Sequence, residues 1–325
     1  MSDNANSPDF AIISRKAAEP LLDWRTVARA IEEGHSRPRA RLADTLLGRG
    51  CDSLLTRSAL IDGLGLLVKA ATVFPGNCEK ALPSVNGAVN IFSDADGRLE
   101  ALIDFHLLTR WKTAADSLLA ALKLAHPESR SITILGAGSV ARALIEAYRA
   151  GFPEAAITLW NRTPGRAEAL AGEYPGVQVM HDLEWAVRGA DIVSAATMAR
   201  EPLIRGAWLH PGQHLDLIGA FRPDMREADD EALLRARIFV DSRETVLDHI
   251  GELHIPIKAG VIPRDAVIAD YYDLPSGRFA RRTPEEITLF KNGGGAHLDL
   301  MVARHILDTW RKAQGKDAPH APGGS

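Results

Sequence analysis

A glycine-rich turn at residues 136–141, with the sequence GAGSVA, is the part of this chain whose chemistry is easiest to infer. It follows a short apolar run and precedes a stretch with helical spacing, as the G-x-G-x-x-A form of the dinucleotide-binding motif requires. Gly136 permits a tight turn, Gly138 lets a pyrophosphate approach the backbone, and Ala141 lets the helix pack closely on the strand. A tight turn that binds no nucleotide is the alternative. The predicted phosphate-binding residues are Gly136, Gly138, Ser139 and Val140.

The loop after the next apolar run, at residues 157–160, indicates which dinucleotide would bind. NAD-binding proteins carry an acidic residue about 20 residues beyond the glycine turn, where it binds the ribose 2′-hydroxyl. Here Asn161, Arg162 and Thr163 hold that place, and Arg166 follows one helical turn later. Because a guanidinium can bind a 2′-phosphate, the sequence favours NADP(H) as cofactor, with NAD(H) as the alternative. The simpler interpretation of Arg162 is a solvated arginine in a loop.

Three cations precede the glycine turn in unusual surroundings. Lys69 interrupts an apolar run at residues 64–74, which is predicted to be a strand buried on both faces, so its ammonium needs an anion or a route to water. Lys112 is predicted to lie in the first turn of a helix, where the helix dipole disfavours a positive charge. Together with Arg39, or Arg41 beside it, they suggest a site for a small carboxylate. Each of them alone is more simply a structural residue.

Loops that follow parallel strands provide further candidates, because such loops line the ligand crevice of a doubly wound sheet. Thr197 follows the predicted strand at residues 191–195, and both Thr197 and Gly219 are predicted to contact the cofactor. Asp224 and Glu227 lie further along and are the acids that could exchange a proton there. Both also suit an ordinary loop, in which Asp224 caps a turn.

The elements that must position these residues begin with an α+β group in the first part of the chain. Its apolar spacing and turn residues predict strands, a hairpin around Asp96-Gly97 and a helix capped by Thr109. The final helix is expected to return to this group. The predicted elements are a helix at 21–33, strands at 52–56, 64–74, 89–93 and 98–106, and helices at 110–125 and 296–313.

From residue 131 onward strands alternate with helices, which predicts a parallel sheet covered by helices. The expected fold class is therefore α/β, a Rossmann-type doubly wound sheet, joined to a split α+β domain. The predicted boundaries are 1–127 and 296–325 for the α+β domain and 128–295 for the dinucleotide-binding domain. The predicted strands after the first lie at 157–160, 177–180, 191–195, 214–218, 238–241 and 286–290, and the helices at 163–173, 183–188, 230–235 and 242–250.

Composition restricts the class of partner. The chain has 38 Lys and Arg against 42 Asp and Glu, a net charge of −4, so no nucleic-acid partner is expected. No run of about 18 apolar residues is present, so no membrane span is expected. The polar N-terminus lacks the pattern of a secretory signal, and Cys51 and Cys78 have no histidine partners. These features predict a cytoplasmic protein with reduced thiols and no metal site.

The chain resembles one known family from Pro38 to Lys291, and six segments, taken in order, carry this resemblance most specifically. They are VKAATVFPGN at 68–77, WKTAADSLLA at 111–120, ILGAGSVA at 134–141, LWNRTPGRAEALA at 159–171, LIGAFRPDMREADDE at 217–231 and FVDSRE at 239–244. The chain is thereby similar to the ornithine cyclodeaminase/μ-crystallin family. This resemblance implies a homodimer that acts on a small amino or imino acid with NAD(P), and an α+β domain that binds the substrate and forms the dimer interface.

The same resemblance implies roles for particular residues. Lys69 matches the family's active-site lysine, Lys112 stands where the family usually has an arginine, and Arg39 matches an arginine that binds the substrate carboxylate. The aspartate that cyclodeaminases carry after the fifth strand is replaced here by Phe221. Because this replacement removes the base that ornithine cyclisation needs, the sequence resembles the ketimine reductase branch more closely.

The leading hypothesis is an NADPH-dependent reductase of a cyclic imino acid, either Δ1-pyrroline-2-carboxylate or Δ1-piperideine-2-carboxylate. The three cations would hold the carboxylate, and a cyclic iminium is electrophilic enough to accept hydride without a strong base. One alternative is an ornithine cyclodeaminase in which Asp224 replaces the missing base, or a related amino-acid dehydrogenase. Another is a non-catalytic, NADPH-dependent protein of the μ-crystallin type that binds a small ligand.

Overall fold

The computed structural model describes residues 10–80 and 82–315. The ends of the two-part predicted domain, residues 1–9 and 316–325, lie outside the described residues. The strands are β1 (Ala11–Ile13), β2 (Arg41–Arg49), β3 (Asp52–Ile61), β4 (Gly65–Val73), β5 (Val85–Phe92), β6 (Leu99–Asp104), β7 (Ser131–Leu135), β8 (Ala156–Trp160), β9 (Gln178–Val179), β10 (Ile192–Ala195), β11 (His214–Leu217), β12 (Arg237–Val240), β13 (Val267–Ala269) and β14 (Thr288–Lys291). The α-helices are α1 (Arg15–Ala18), α2 (Trp24–His35), α3 (Phe105–Leu124), α4 (Ser139–Gly151), α5 (Pro164–Ala171), α6 (Leu183–Arg188), α7 (Asp230–Arg235), α8 (Arg243–Val246), α9 (Gly251–Lys258) and α10 (Ala296–Ala313).

The described chain divides into two compact units. The first contains residues 10–80, 82–112 and 295–315, and the second contains Thr113–Gly294. The division falls inside α3, whereas the sequence prediction placed the boundary after residue 127. A single continuous helix has no composition change at the point where it passes from one unit to the other, so sequence alone gives no signal for that point.

The first unit is built on a mixed sheet with strand order β1-β6-β5-β4-β3-β2. Neighbouring strands from β2 to β6 are antiparallel, and β1 joins β6 in parallel. The predicted hairpin is confirmed as β5 and β6, and Gly97 in its turn has a φ of 71° that favours glycine. Strand β2 was not among the predicted strands, because its polar and apolar residues do not alternate cleanly.

Strand β4 corrects one expectation. Its residues alternate between buried and half-buried, so the prediction of a strand buried on both faces is wrong. Helix α10 packs against β3 and β4, and Leu67, Lys69 and Ala71 lie on the buried side of β4. Val68 and Ala70 lie on the opposite, partly exposed face. The long apolar run therefore supplies side chains to both faces of one sheet, a buried face and a partly exposed face.

Helix α3 begins earlier than the sequence predicted. It starts at Phe105, and the carboxylate of Asp104 accepts a hydrogen bond from the backbone N–H of Leu107 at 2.8 Å. Asp104 therefore caps the helix, and the predicted cap, Thr109, lies inside it. Lys112 consequently lies beyond the first turn, so the expectation that it opposes the helix dipole is wrong.

The second unit has the Rossmann-type architecture that the alternation of strands and helices predicted. Within the described residues its sheet has the order β13-β12-β14-β11-β10-β7-β8-β9, with every pairing parallel. Strands β7, β10 and β11 carry buried aliphatic side chains such as Ile134, Val193 and Leu215, as expected of a sheet covered on both faces.

Two details of the second unit differ from prediction. The segment 242–250 was predicted as one helix, but α8 ends at Val246 and a separate helix, α9, begins at Gly251. No strand or helix was predicted within 256–279, yet this segment contains β13 and a 3₁₀ helix at Tyr271–Ser276. Strand β13 joins the edge of the sheet through β12, and this tertiary pairing stabilises three residues that are too few to show a periodic pattern.

Candidate active site

The glycine turn has the geometry of a phosphate-binding loop. Gly136 has a φ of 119°, and a Cβ there would lie 2.7 Å from the carbonyl oxygen of Ala196. Gly138 is the N-cap of α4 and has open space where a Cβ would be, and no side chain caps the helix. The first N–H groups of a 13-residue helix, from Ser139 and Val140, therefore have room for an anionic group. These residues fit a dinucleotide pyrophosphate.

The local sequence explains why the turn adopts this form. The N–H of Gly136 donates to the carbonyl of Trp160 at the end of β8, which fixes the start of the turn. Ala141, the small residue of the motif, is fully buried, as close packing of α4 on the sheet requires.

The loop between β8 and α5 presents positive charge to solvent. The side-chain amide of Asn161 donates to the backbone carbonyl of Thr163 at 2.8 Å, which orders the loop. Arg162 and Arg166 are exposed, and within the described residues neither side chain makes a hydrogen bond or an ion pair. No acidic residue lies at positions 161–166. A phosphate on the ribose would meet two uncommitted guanidinium groups here.

Thr197 and Gly219 are tied together by one buried carboxylate. Glu227 accepts hydrogen bonds from the Thr197 backbone N–H at 2.8 Å, the Thr197 hydroxyl at 2.7 Å, and the Gly219 N–H at 2.7 Å. The N–H of Ala220 adds a fourth donor at 3.2 Å. The predicted contacts of Thr197 and Gly219 with a cofactor stay a prediction, and these donors are already committed to Glu227. Because all its acceptor positions are used, Glu227 links the residues that follow β10 to those that follow β11. We call this set of hydrogen bonds the Glu227 clasp.

Glu227 belongs to a buried ionic cluster that sequence reasoning missed. Burial, with the charge of Glu252 beside it, raises the pKa of Glu227 to about 8. Glu252 in turn accepts from the N–H groups of Glu227 and Ala228, at 2.7 and 3.0 Å. Lys291, fully buried at the end of β14, lies close enough to both glutamates that their charges raise its pKa against the larger effect of desolvation. The feature of the sequence that could have revealed this cluster is a lysine at the end of a buried strand.

Asp224 lies in a different environment. Its carboxylate is exposed and accepts two hydrogen bonds from Arg222, at 2.9 and 2.8 Å. Arg200 pairs with it at 3.2 Å. These hydrogen bonds and charges hold the pKa of Asp224 below its ordinary value, which makes it a weak base. The structure gives no support to Asp224 as a catalytic base. Phe221, where cyclodeaminases have their aspartate, is 57% exposed.

In the first unit, the anion that pairs with Lys69 is a side chain of this same chain. Its ammonium lies 2.9 Å from Oδ1 of Asp299 in α10, and both side chains are buried. The same ammonium lies 4.9 Å from the ring centroid of Phe105. Arg57, the residue opposite Lys69 on β3, pairs at 2.9 Å with Asp44. Lys69 therefore has its own counter-ion, on a helix that is distant in sequence.

Lys112 has no counter-ion within the described residues, although it is only 8% exposed. Its charge lowers the pKa of Lys69, so the two lysines lie near one another. Arg39 is exposed, and its charge lowers the pKa of both His35 and His297. Arg41, the alternative to Arg39, pairs with Asp62 at 3.6 Å on the surface. That Lys69, Lys112 and Arg39 hold one substrate carboxylate stays a prediction.

Two buried histidines belong to the same group of side chains as Lys69 and Lys112. The sequence did not predict them as site residues. The rings of His35 in α2 and His297 in α10 meet edge to face, with 5.4 Å between centroids. Burial lowers the pKa of His35 to about 4 and that of His297 as well, so both are neutral near pH 7. Neither ring nitrogen of His297 has a hydrogen-bond partner among the described residues. We name Lys69, Lys112, His35, His297 and Asp299 the cation cluster.

The described residues place no three His, Cys, Asp or Glu side chains in an arrangement that could hold a metal ion. None of the helices in the described ranges combines the length and apolar character needed to cross a bilayer. Cys51 is exposed and forms no disulfide in the part of the chain that the structure describes. The side chain of Cys78, predicted to be a reduced thiol, lies outside that part.

Comparison with known proteins agrees with this geometry. Residues 59–314 match the model of the ornithine cyclodeaminase/mu-crystallin family. A Delta(1)-pyrroline-2-carboxylate reductase from Paracoccus denitrificans is 49% identical over 313 residues, covering 94% of this chain and 98% of that protein. The solved structure of a Thermococcus litoralis Delta(1)-pyrroline-2-carboxylate reductase with NADH and L-proline has a TM-score of 0.85 and 27% identity, covering 96% of this chain and all of that one. An archaeal alanine dehydrogenase dimer with bound NAD also has a TM-score of 0.85, with 26% identity and coverage of 97% and 99%.

Proposed function

Because the chain belongs to the ornithine cyclodeaminase/mu-crystallin family, we propose that it reduces a small cyclic imino acid with a nicotinamide dinucleotide. The substrate is Δ1-pyrroline-2-carboxylate or Δ1-piperideine-2-carboxylate, and the product is the corresponding cyclic amino acid. The activity named for the relatives from Paracoccus and Thermococcus supports this assignment.

The observation that carries the proposal is the unbalanced charge of the cation cluster. Asp299 neutralises Lys69, but Lys112 is buried beside that pair with no counter-ion in the described chain. A buried cation without an opposite charge is costly. The carboxylate of an imino acid would balance it and, with Arg39 at the exposed side, would fix the orientation of the ring. The bound nicotinamide supplies the hydride.

The structure disfavours the cyclodeaminase alternative. That reaction must take a proton from an amine and return protons later, which needs a base. Phe221 cannot serve, and Asp224 is paired with two arginines on the surface. Reduction of an electrophilic imine needs no such base.

The direct test compares two reactions of the purified wild-type chain. We expect oxidation of NADPH in the presence of a cyclic imino acid, followed by absorbance. We expect no release of ammonia from ornithine with NAD or NADP. Appreciable formation of proline and ammonia from ornithine would contradict the assignment and would identify a base that this structure does not reveal. Binding of NADPH with turnover of neither substrate would favour the ligand-binding alternative.

We further propose NADPH as the preferred cofactor, supported by Arg162 and Arg166 and by the missing acid after β8. Replacing Arg162 with alanine removes a charged contact worth about 1.5–3 kcal/mol. The dissociation constant of NADPH should therefore rise roughly ten- to hundred-fold, with that of NADH nearly unchanged. Titration of protein fluorescence with each cofactor measures both constants. Arg188→Ala, on the surface of α6, is the matched control, and equal affinities of the wild type for NADPH and NADH would contradict the preference.

We also propose a homodimer formed through the outer face of the first unit's sheet. This face carries uncharged side chains at its centre, including Ser58, Val68, Ala70, Ala88 and Asn90, which are partly or fully exposed. An exposed sheet face whose centre carries no charge is typical of an interface with a second chain. The mass of the full chain in solution is the direct test. The cytoplasmic location stays a prediction.

A further inference from the structure

We propose that Asp299 is a positioning residue, which holds Lys69 as the charged group that donates a proton to the substrate nitrogen. This inference rests on the proposed function, because it assigns the source of the proton for that reaction. Asp299 is absent from the candidates that sequence analysis named. The role of Asp299 is supported by its contact with Lys69, by the groups that surround this contact, and by the proton that imine reduction requires.

The contact joins two buried groups on different elements. Nζ of Lys69 on β4 and Oδ1 of Asp299 on α10 are 2.9 Å apart, and their side chains are 8% and 1% exposed. Oδ2 of Asp299 has no hydrogen-bond partner in the described chain, so Lys69 is the group that the carboxylate is shown to hold. The N–H of Asp299 donates to Gly295, which places this carboxylate in the first turn of α10. A rigid helix therefore fixes one end of the pair.

Burial and two neighbouring positive charges act against the ammonium of Lys69. Desolvation is the largest effect and lowers the pKa of Lys69, and the charges of Lys112 on α3 and Arg57 on β3 lower it further. His35 on α2 and His297 on α10 belong to the same cluster and are neutral near pH 7. The residue opposite on β5 is Val89, which carries no charge. Asp299 acts in the opposite direction, because both its charge and its hydrogen bond raise the pKa of Lys69.

Reduction of an imine requires a proton on the substrate nitrogen, and Lys69 can donate this proton only while its side chain is charged. The lone pair of the imine nitrogen would take a proton from Nζ of Lys69, which gives the electrophilic iminium and leaves the lysine as a neutral amine until solvent returns a proton. Hydride from the reduced nicotinamide would then form a bond to the iminium carbon, and the π electrons of the C=N bond would become a lone pair on nitrogen. A lysine that had already lost its proton could not carry out the first of these steps.

The test is the pH dependence of kcat/KM for a cyclic imino acid in wild type and Asp299→Asn. Loss of an opposite charge at this distance lowers a pKa by about 1–3 units. We expect the alkaline limb of the profile to move to lower pH by that amount, so that activity above the wild-type limb falls about ten- to thousand-fold. Near pH 6 the variant should approach the wild type. Asp299→Glu retains the charge and should move the limb less.

Asp308→Asn is the matched control, since it makes the same change further along α10. A uniform loss of activity at all pH values in Asp299→Asn, with no movement of the limb, would overturn the role assigned to Asp299. Thermal melting of each variant shows whether it is folded.

A second readout does not depend on turnover. Lysines methylated with ¹³C-formaldehyde titrate individually by NMR, and Lys69→Arg identifies the Lys69 resonance. We expect a lower pKa for Lys69 in Asp299→Asn than in wild type, and equal values would overturn the inference. An inactive wild type would overturn the proposed function instead, and this titration would still report on the Lys69–Asp299 pair.

Discussion

Replacing Lys69 with alanine is expected to lower kcat/KM for a cyclic imino acid by about a thousand-fold or more. In the proposed mechanism the side chain supplies the proton and lies beside the cation that would bind the carboxylate, and a positioned general acid alone contributes about 10²–10⁴-fold. The dissociation constant of the dinucleotide should change little, because Lys69 lies in the first unit and the glycine turn lies in the second. Steady-state kinetics and cofactor titration measure the two effects.

The alanine variant leaves Asp299 as a buried, unpaired charge, which costs about 3–5 kcal/mol of stability. The double variant Lys69→Ala/Asp299→Ala removes that charge and should be inactive although it is folded. Lys258→Ala, at the exposed end of α9, is the control and should retain full activity. Wild-type turnover in the folded double variant would show that Lys69 has no part in the chemistry.

Replacing Glu227 with alanine is expected to destabilise the second unit strongly. The variant leaves four donors on Thr197, Gly219 and Ala220 without their acceptor. Because each buried donor without a partner costs about 1–3 kcal/mol, we expect a total loss of about 3–5 kcal/mol. The free energy of unfolding in urea should fall by that amount, with the denaturant slope unchanged.

An exposed glutamate provides the comparison. Glu154 lies 3.8 Å from Arg130, and both side chains are largely in solvent, so Glu154→Ala should change the unfolding free energy by less than about 1 kcal/mol. A similar, small change for Glu227→Ala would mean that the loops after β10 and β11 do not depend on the clasp. Gly219 tests the same clasp independently, because a Cβ there would collide with the backbone of Thr197.

The chain's own sequence was sufficient for the features that depend on neighbouring residues. The glycine turn was predictable because strand, turn and helix follow one another within residues 131–151, and the motif requires them in that order. Helix α10 was predicted with its observed ends, Ala296 and Ala313, because its apolar residues recur at helical spacing over many turns. The absence of an acidic residue after β8 could likewise be seen from neighbouring residues alone.

The partners of the charged residues were decided by the three-dimensional fold. Lys69 and Asp299 are separated by 230 positions, and nothing in the neighbourhood of either residue marks the other. The same is true of Glu227, whose clasp depends on two parallel strands lying side by side. An apolar strand containing one lysine shows that an anion is needed, because an unpaired buried charge is costly, but it does not show which anion. Desolvation is a property of the packed unit, and so is the identity of the group that compensates for it.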